Sequence, residues 1–232
     1  MGGGFCDLAL DVLFPRFCLS CKSEGSLFCA LCEKAWIVRP MLAACPFCAA
    51  IGSDATCKVC KSKTYLDGVI AYLPYGNAVV RGAISVWKFD GDKSIEPILK
   101  KWLLQSANRM RPPFDSFIVT HIPVHRTRKR LRGFDQAEHL SHWVSEIYSM
   151  PQKTLIERVR KTASQAKRNH AERYLGQLDD AFAVRRDMIE HLPECVLLCD
   201  DVFTSGATMD AAAKCLKEAG VKTVWGFVIG KG

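Results

Sequence analysis

The chain has 232 residues, 49% of them hydrophobic and 24% charged, with a formal net charge of +8. That is enough apolar material for one medium domain plus a small appendage. The absence of any apolar run near the ~18 residues a membrane helix needs argues against a transmembrane span. The charge excess suits an anionic ligand or a nucleic acid without demanding either.

In chain order, the start MGGGFCDLALDVLF lacks a basic leading region, and Asp7 and Asp11 interrupt its apolar part. It reads as a short amphipathic helix rather than a signal peptide, so a cytoplasmic location is expected. Residues 1–62 are cysteine-rich and loop-like, and form the first expected unit. Of the 12 cysteines, eight form the pairs CLSC (18–21), CALC (29–32), CPFC (45–48) and CKVC (57–60). Without an export signal, such a pattern points to metal rather than disulfides. Two C-x-x-C knuckles supply the four tetrahedral thiolates that structural zinc prefers. Pairing in sequence order gives one site from Cys18, Cys21, Cys29 and Cys32 and another from Cys45, Cys48, Cys57 and Cys60. The spacing also leaves a crossed pairing open, first pair with third. Either way two structural zinc ions are expected, with no open coordination position for chemistry. Cys195, Cys199 and Cys215 read as small core residues.

Residues 63–232 make the second expected unit. Strands are expected at 66–73, 117–122, 181–184, 196–199 and 223–229, and helices at 77–89 and 94–107. A further helix follows residue 122, with Ala137, Leu140, Val144 and Ile147 at helical spacing. Another stripe, Met209, Ala212, Ala213, Leu216 and Ala219, ends at Gly220. Alternating strands and helices predict an α/β domain with a mainly parallel sheet flanked by helices.

The stretch VLLCDDVFTSGAT (196–208) carries the most chemistry. A buried strand ends where ligands of open α/β sheets sit. Asp200 and Asp201 there repel each other unless a sugar diol, directly or through a divalent cation, takes both as acceptors. Thr204, Ser205, Gly206, Ala207 and Thr208 then run into a helix whose orphan N–H groups form a cradle for phosphate. An ordinary strand–turn–helix explains a lone acid pair, but the full order of residues is far more restrictive. It describes a receptor for a ribose phosphate.

This stretch closely resembles the phosphoribosyl-pyrophosphate (PRPP) signature of type I phosphoribosyltransferases. The segments YLPYGNAVVRGAISVWKFDGD (72–92), IPVHRTRKRLRGFDQAEHL (122–140) and KTASQAKRNHAERYLGQLDDAFAV (161–184) resemble ComF-type proteins. That group is tied to natural competence and DNA uptake and carries a cysteine-rich zinc module. The resemblance covers almost the whole chain, Asp135 standing where the family often has Asn. It implies a type I phosphoribosyltransferase-like sheet behind an N-terminal double zinc ribbon. It also implies that Asp200 and Asp201 contact the ribose hydroxyls and that residues 204–208 wrap the 5-phosphate. Residues 123–126, with Val124, His125 and Arg126, would be the pyrophosphate loop. Lys161 and Gln165 would lie on a mobile catalytic loop. Mg²⁺ would accompany PRPP.

Two runs of positive charge, 126–132 and 158–173, complete the pattern. The histidines show no metal-spacing cluster. Three functions remain on the page: Mg-dependent transfer of phosphoribosyl to an unknown acceptor, a PRPP-binding module without turnover, and a single-stranded DNA adaptor of the uptake machinery using zinc ribbons and basic loops. The aromatic residues expected among the basic ones of a single-strand binder are sparse.

Overall fold

The computed structural model describes residues 15–36, 41–90, 93–107, 111–124, 134–159 and 181–232. Strands β1 (Gly68–Pro74), β2 (Ile118–His121), β5 (Cys195–Phe203) and β6 (Thr223–Lys231) form one parallel sheet in the order β1-β6-β5-β2. Strands β3 (Ile156–Arg158) and β4 (Phe182–Val184) pair antiparallel as a separate ribbon, so the short strand expected at 181–184 exists outside the main sheet.

The helices are α1 (Ala30–Ala35), α2 (Lys58–Lys61), α3 (Ala78–Ser85), α4 (Glu96–Ala107), α5 (Gln136–Tyr148) and α6 (Ala207–Glu218). Asn77 caps α3, and Asp135 caps α5 by accepting from the amides of Ala137 and Glu138. Gly220, at φ +111°, supplies the left-handed turn after α6.

Both faces of the sheet are covered, as a parallel sheet requires. Side chains alternate along each strand, so each face collects its own core. One face carries Ile70, Tyr72, Leu197, Cys199, Phe227 and Ile229 against Ile84, Leu99, Leu140 and Val144 from α3, α4 and α5. The opposite face carries Val69, Ala71, Val196, Leu198, Val224 and Val228 against Met209, Ala212 and Leu216 of α6 and the β3–β4 ribbon. The run from Val196 to Cys199 is fully buried, as its composition predicts.

The helix expected over 77–89 stops at Ser85 and passes into a π turn (Val86–Asp90). Tertiary partners account for the change. The Gln136 amide donates to the carbonyls of Trp87 and Lys88 at 3.4 and 3.3 Å. Trp87 is fully buried, donates its indole N–H to Glu96 and stacks on Trp143.

The cysteine-rich segment is built twice on one plan. Phe17 bridges Glu24, and Ala44 bridges Ile51. The Gly25 amide donates to the Arg16 carbonyl as the Gly52 amide does to Ala43. Lys22 and Ala49, each directly after the second cysteine of a pair, adopt φ of 65° and 58°. The two copies dock on opposite faces of the sheet. Phe28 of the first packs edge-on to Trp102 of α4, while Phe47 of the second joins the core under α6. Between them, Asp54 and Thr56 hydrogen-bond the outer edge of β1 and close it.

Candidate functional site

The thiols assemble in sequence order. Cys18, Cys21, Cys29 and Cys32 bring their sulfurs within 4.8 Å of one another, and so do Cys45, Cys48, Cys57 and Cys60. The crossed pairing left open by the spacing is not adopted. Cys29 N–H points at Cys18 Sγ at 3.5 Å, and Cys57 N–H at Cys45 Sγ at 3.4 Å. Burial pushes the Cys18 and Cys45 thiols up, but amide donors, led by those of Cys29 and Cys57, outweigh it and bring both down to about 6. Each set of four sulfurs, with amide support, fits one ion such as zinc.

The second site lies at the carboxyl edge of the sheet. β2 pairs with β5 only along residues 196–199, after which the chain leaves β2 and the Ile122 amide closes on the Cys199 carbonyl. From Asp200 onward β5 keeps β6 on one side and, among the described residues, has no strand on the other. The helix after β2, α5, covers one face of the sheet, and the helix after β5, α6, covers the other. Diverging helices open a crevice between β2 and β5, the topological switch point where open α/β sheets take ligands.

Asp200 and Asp201 sit half-buried at this crevice. The Asp201 amide donates to Asp200 Oδ1 at 2.8 Å. Burial, and then the Asp201 charge, push the Asp200 carboxyl up to about 8, against the pull of Lys88. Lys88, in the π turn, places its Nζ 2.8 Å from Asp201 Oδ1. Asp135 adds a third acid. It is 3% exposed, and its Oδ2 accepts from the Val124 amide at 3.2 Å.

Behind the acids, Thr204 is exposed and Ser205 half-buried, and α6 begins at Ala207 with no side-chain cap on its N-terminus. Gly206 occupies the capping position at φ +77°. A Cβ there would lie 2.4 Å from Phe203 Cζ and 2.9 Å from Phe47 Cε1. The Ala207 amide donates to Ser205 Oγ at 3.5 Å, and Gly206 itself offers no side chain to cap the positive end of the helix dipole. Asp210, in the first turn, faces away and accepts from the amides of Tyr65 and Leu66 at 2.7 and 2.9 Å.

Asp200, Asp201 and residues 204–208 follow one another from the carboxyl end of β5 into α6, and Val124 is tied by its amide to Asp135. His125, Arg126, Lys161, Gln165 and most of both basic runs lie outside the described residues. Arg158, which is described, places its guanidinium over the Phe182 ring at 5.3 Å. Sequence reasoning missed Lys88 and the position of Asp135. It also missed that His121, Asp135 and Glu138 bring potential ligand atoms within 4.8 Å of one another. Spacing among histidines was a poor guide there, because the neighbours of His121 are carboxylates on a different element.

Fold and sites define an α/β protein with a switch-point crevice and twin four-cysteine centres. Comparison with known proteins narrows that class. Competence protein ComFC of Streptococcus pneumoniae is 29% identical over 210 residues, covering 89% of this chain and 88% of that protein. Competence protein ComFC of Bacillus subtilis is 29% identical over 144 residues, 62% of this chain and 56% of that protein. Competence protein F of Haemophilus influenzae is 30% identical over 112 residues, 47% of this chain and 48% of that protein. No protein-family model matches the chain. The chain is thus similar to the ComFC and F competence proteins, to the first of them along most of its length.

Proposed function

We propose that the chain is a PRPP-binding phosphoribosyltransferase-like protein that serves DNA uptake from the cytoplasm. The observation that carries this reading is the succession, at the switch point, of an acid pair and a glycine-led helix N-terminus on one continuous stretch of chain. The two expected units, 1–62 and 63–232, keep these roles: zinc-held support and ligand-binding sheet.

In the reaction, the bond between the anomeric carbon and the pyrophosphate oxygen breaks, and its electron pair leaves with pyrophosphate. The acceptor's nucleophilic atom forms the new bond from the opposite side and gives up its proton. Asp200 and Asp201 hold the ribose hydroxyls, and the Asp201 carboxylate stabilises the oxocarbenium-like sugar between these events. The amides of residues 206–208 hold the 5-phosphate. Bound Mg²⁺ supplies charge neutralisation at the pyrophosphate. By resemblance, Val124, His125 and Arg126 line the pyrophosphate, and Lys161 and Gln165 close over it.

Titration calorimetry with PRPP and Mg²⁺, beside pyrophosphate release over a panel of amines and bases, tests the reading. Binding with release marks a transferase, and binding without release a PRPP-dependent module. No PRPP binding, together with steeply salt-dependent affinity for single-stranded DNA, would replace both with the adaptor reading, which the net charge of +8 keeps worth testing.

A further inference from the structure

Beside the acid pair runs an open groove of about 450 Å³, between Tyr75 at the end of β1 and one stripe of α3 and the π turn. Arg81, Ser85, Lys88 and Phe89 form that stripe, and no acidic residue lines the groove among the described residues. Arg81 is exposed and pairs with no carboxylate among the described residues. Phe89 is 69% exposed. Lys88 belongs to the groove and, through Asp201, to the acid pair at once.

We infer that this groove is an anion subsite for a phosphate or diphosphate group, with Arg81 and Lys88 as its cations. The inference rests on the crevice being the ligand site and adds a place the family resemblance does not assign. Three features support it. Arg81, Lys88 and the Ser85 hydroxyl line the groove together, and the acid that engages Lys88, Asp201, lies outside that lining, an arrangement suited to a multiply charged oxyanion. The π turn aims Lys88, because the Gln136 amide holds the carbonyls of Trp87 and Lys88 and leaves the ammonium group as the movable part. Lys88 also has a second partner ready. With the acceptor oxygens of Asp201 engaged by sugar hydroxyls, its charge is available to the groove.

The shared chemistry has two sources: the donor's own diphosphate, or a phosphate carried by the acceptor. Inorganic pyrophosphate and ribose 5-phosphate are the probes, titrated into the full chain and into Arg81→Met, Arg81→Lys and Lys88→Met. Pyrophosphate affinity falls at least about tenfold in Arg81→Met and in Lys88→Met, the worth of one charge-assisted contact. Arg81→Lys keeps most of it, and Arg81→Met leaves ribose 5-phosphate affinity unchanged. Pyrophosphate binding that is indifferent to both methionine variants, or a parallel loss of both probes in Arg81→Met, overturns the subsite. Pyrophosphate expelled by prior saturation with PRPP identifies the donor's diphosphate, and pyrophosphate retained identifies an acceptor phosphate. A wild-type chain that binds pyrophosphate with the Arg81 dependence but ignores ribose 5-phosphate would sink the proposed function and leave the groove standing.

Discussion

The ring of Phe47 meets the ring of Phe203 edge to face, centroids 5.9 Å apart. Phe47 lies inside the CPFC knuckle, and Phe203 ends the strand that carries both acids. The second four-cysteine cluster therefore packs directly against the end of β5 and the loop that follows it.

Two consequences can be measured. Cys45→Ser halves the metal content, from two ions per chain to one, as read by elemental analysis of protein prepared under reducing conditions. Phe47→Ala keeps both ions and costs about 1–3 kcal/mol in urea unfolding, less than a fully buried phenylalanine because the ring is only half-buried. It also weakens PRPP binding. Full metal content with unweakened binding in Phe47→Ala would uncouple the centre from the loop.

Gly206→Ala should be worse than its size implies. The left-handed conformation at φ +77° costs a non-glycine residue about 1–2 kcal/mol, and the added methyl must also displace Phe203 or Phe47. The expected loss exceeds about 2 kcal/mol, with phosphate binding abolished. Denaturation and calorimetry on the same protein check both halves, and a wild-type midpoint would show that the loop relaxes freely.

The acid pair, the glycine-led loop and the four cysteine pairs were legible because each is local: a few residues in fixed order carry the whole signal. Lys88 was not. The run VWKFD continues a helical pattern, and Glu96 just beyond it together with Gln136, 49 residues away from Trp87, turns it into a π turn aimed at Asp201. The partners of Asp135 were hidden for the same reason, since a capping residue is readable but the Val124 amide on its other oxygen is not. The strand through 200–203 was truncated in the reading because two acids look like the end of a strand. Pairing with β6 carries the strand on to Phe203 all the same. Nothing in the cysteine spacing shows that the twin centres straddle the sheet.

Stability should respond to pH with opposite signs at two aspartates. Asp67 is 9% exposed; burial pushes its carboxyl up, but Lys217, the Val224 amide and Lys61 outweigh burial and hold it below the usual range. Lys217 Nζ lies 2.7 Å from Oδ2 and Lys61 Nζ 3.0 Å from Oδ1. Its contribution is present above the ordinary carboxylate pKa and is lost as pH falls through the lowered folded value. Asp200 runs the other way. With its carboxyl raised to about 8 in the fold, the native state holds a proton the unfolded chain has released, so stability declines as pH rises from near 4 to about 8. Asp67→Asn should therefore destabilise at pH 7, by about 1–3 kcal/mol, and much less at pH 3. Asp200→Asn should raise the melting temperature at pH 8 by at least about 3 °C, since 1 kcal/mol moves a chain of this size by about 2–4 °C, and should change it little near pH 4. It should abolish PRPP binding at both. A melting temperature for Asp200→Asn that tracks wild type from pH 4 to pH 8 would mean that the Asp200 carboxylate is already neutralised by its surroundings, and that Lys88 serves both acids rather than Asp201 alone.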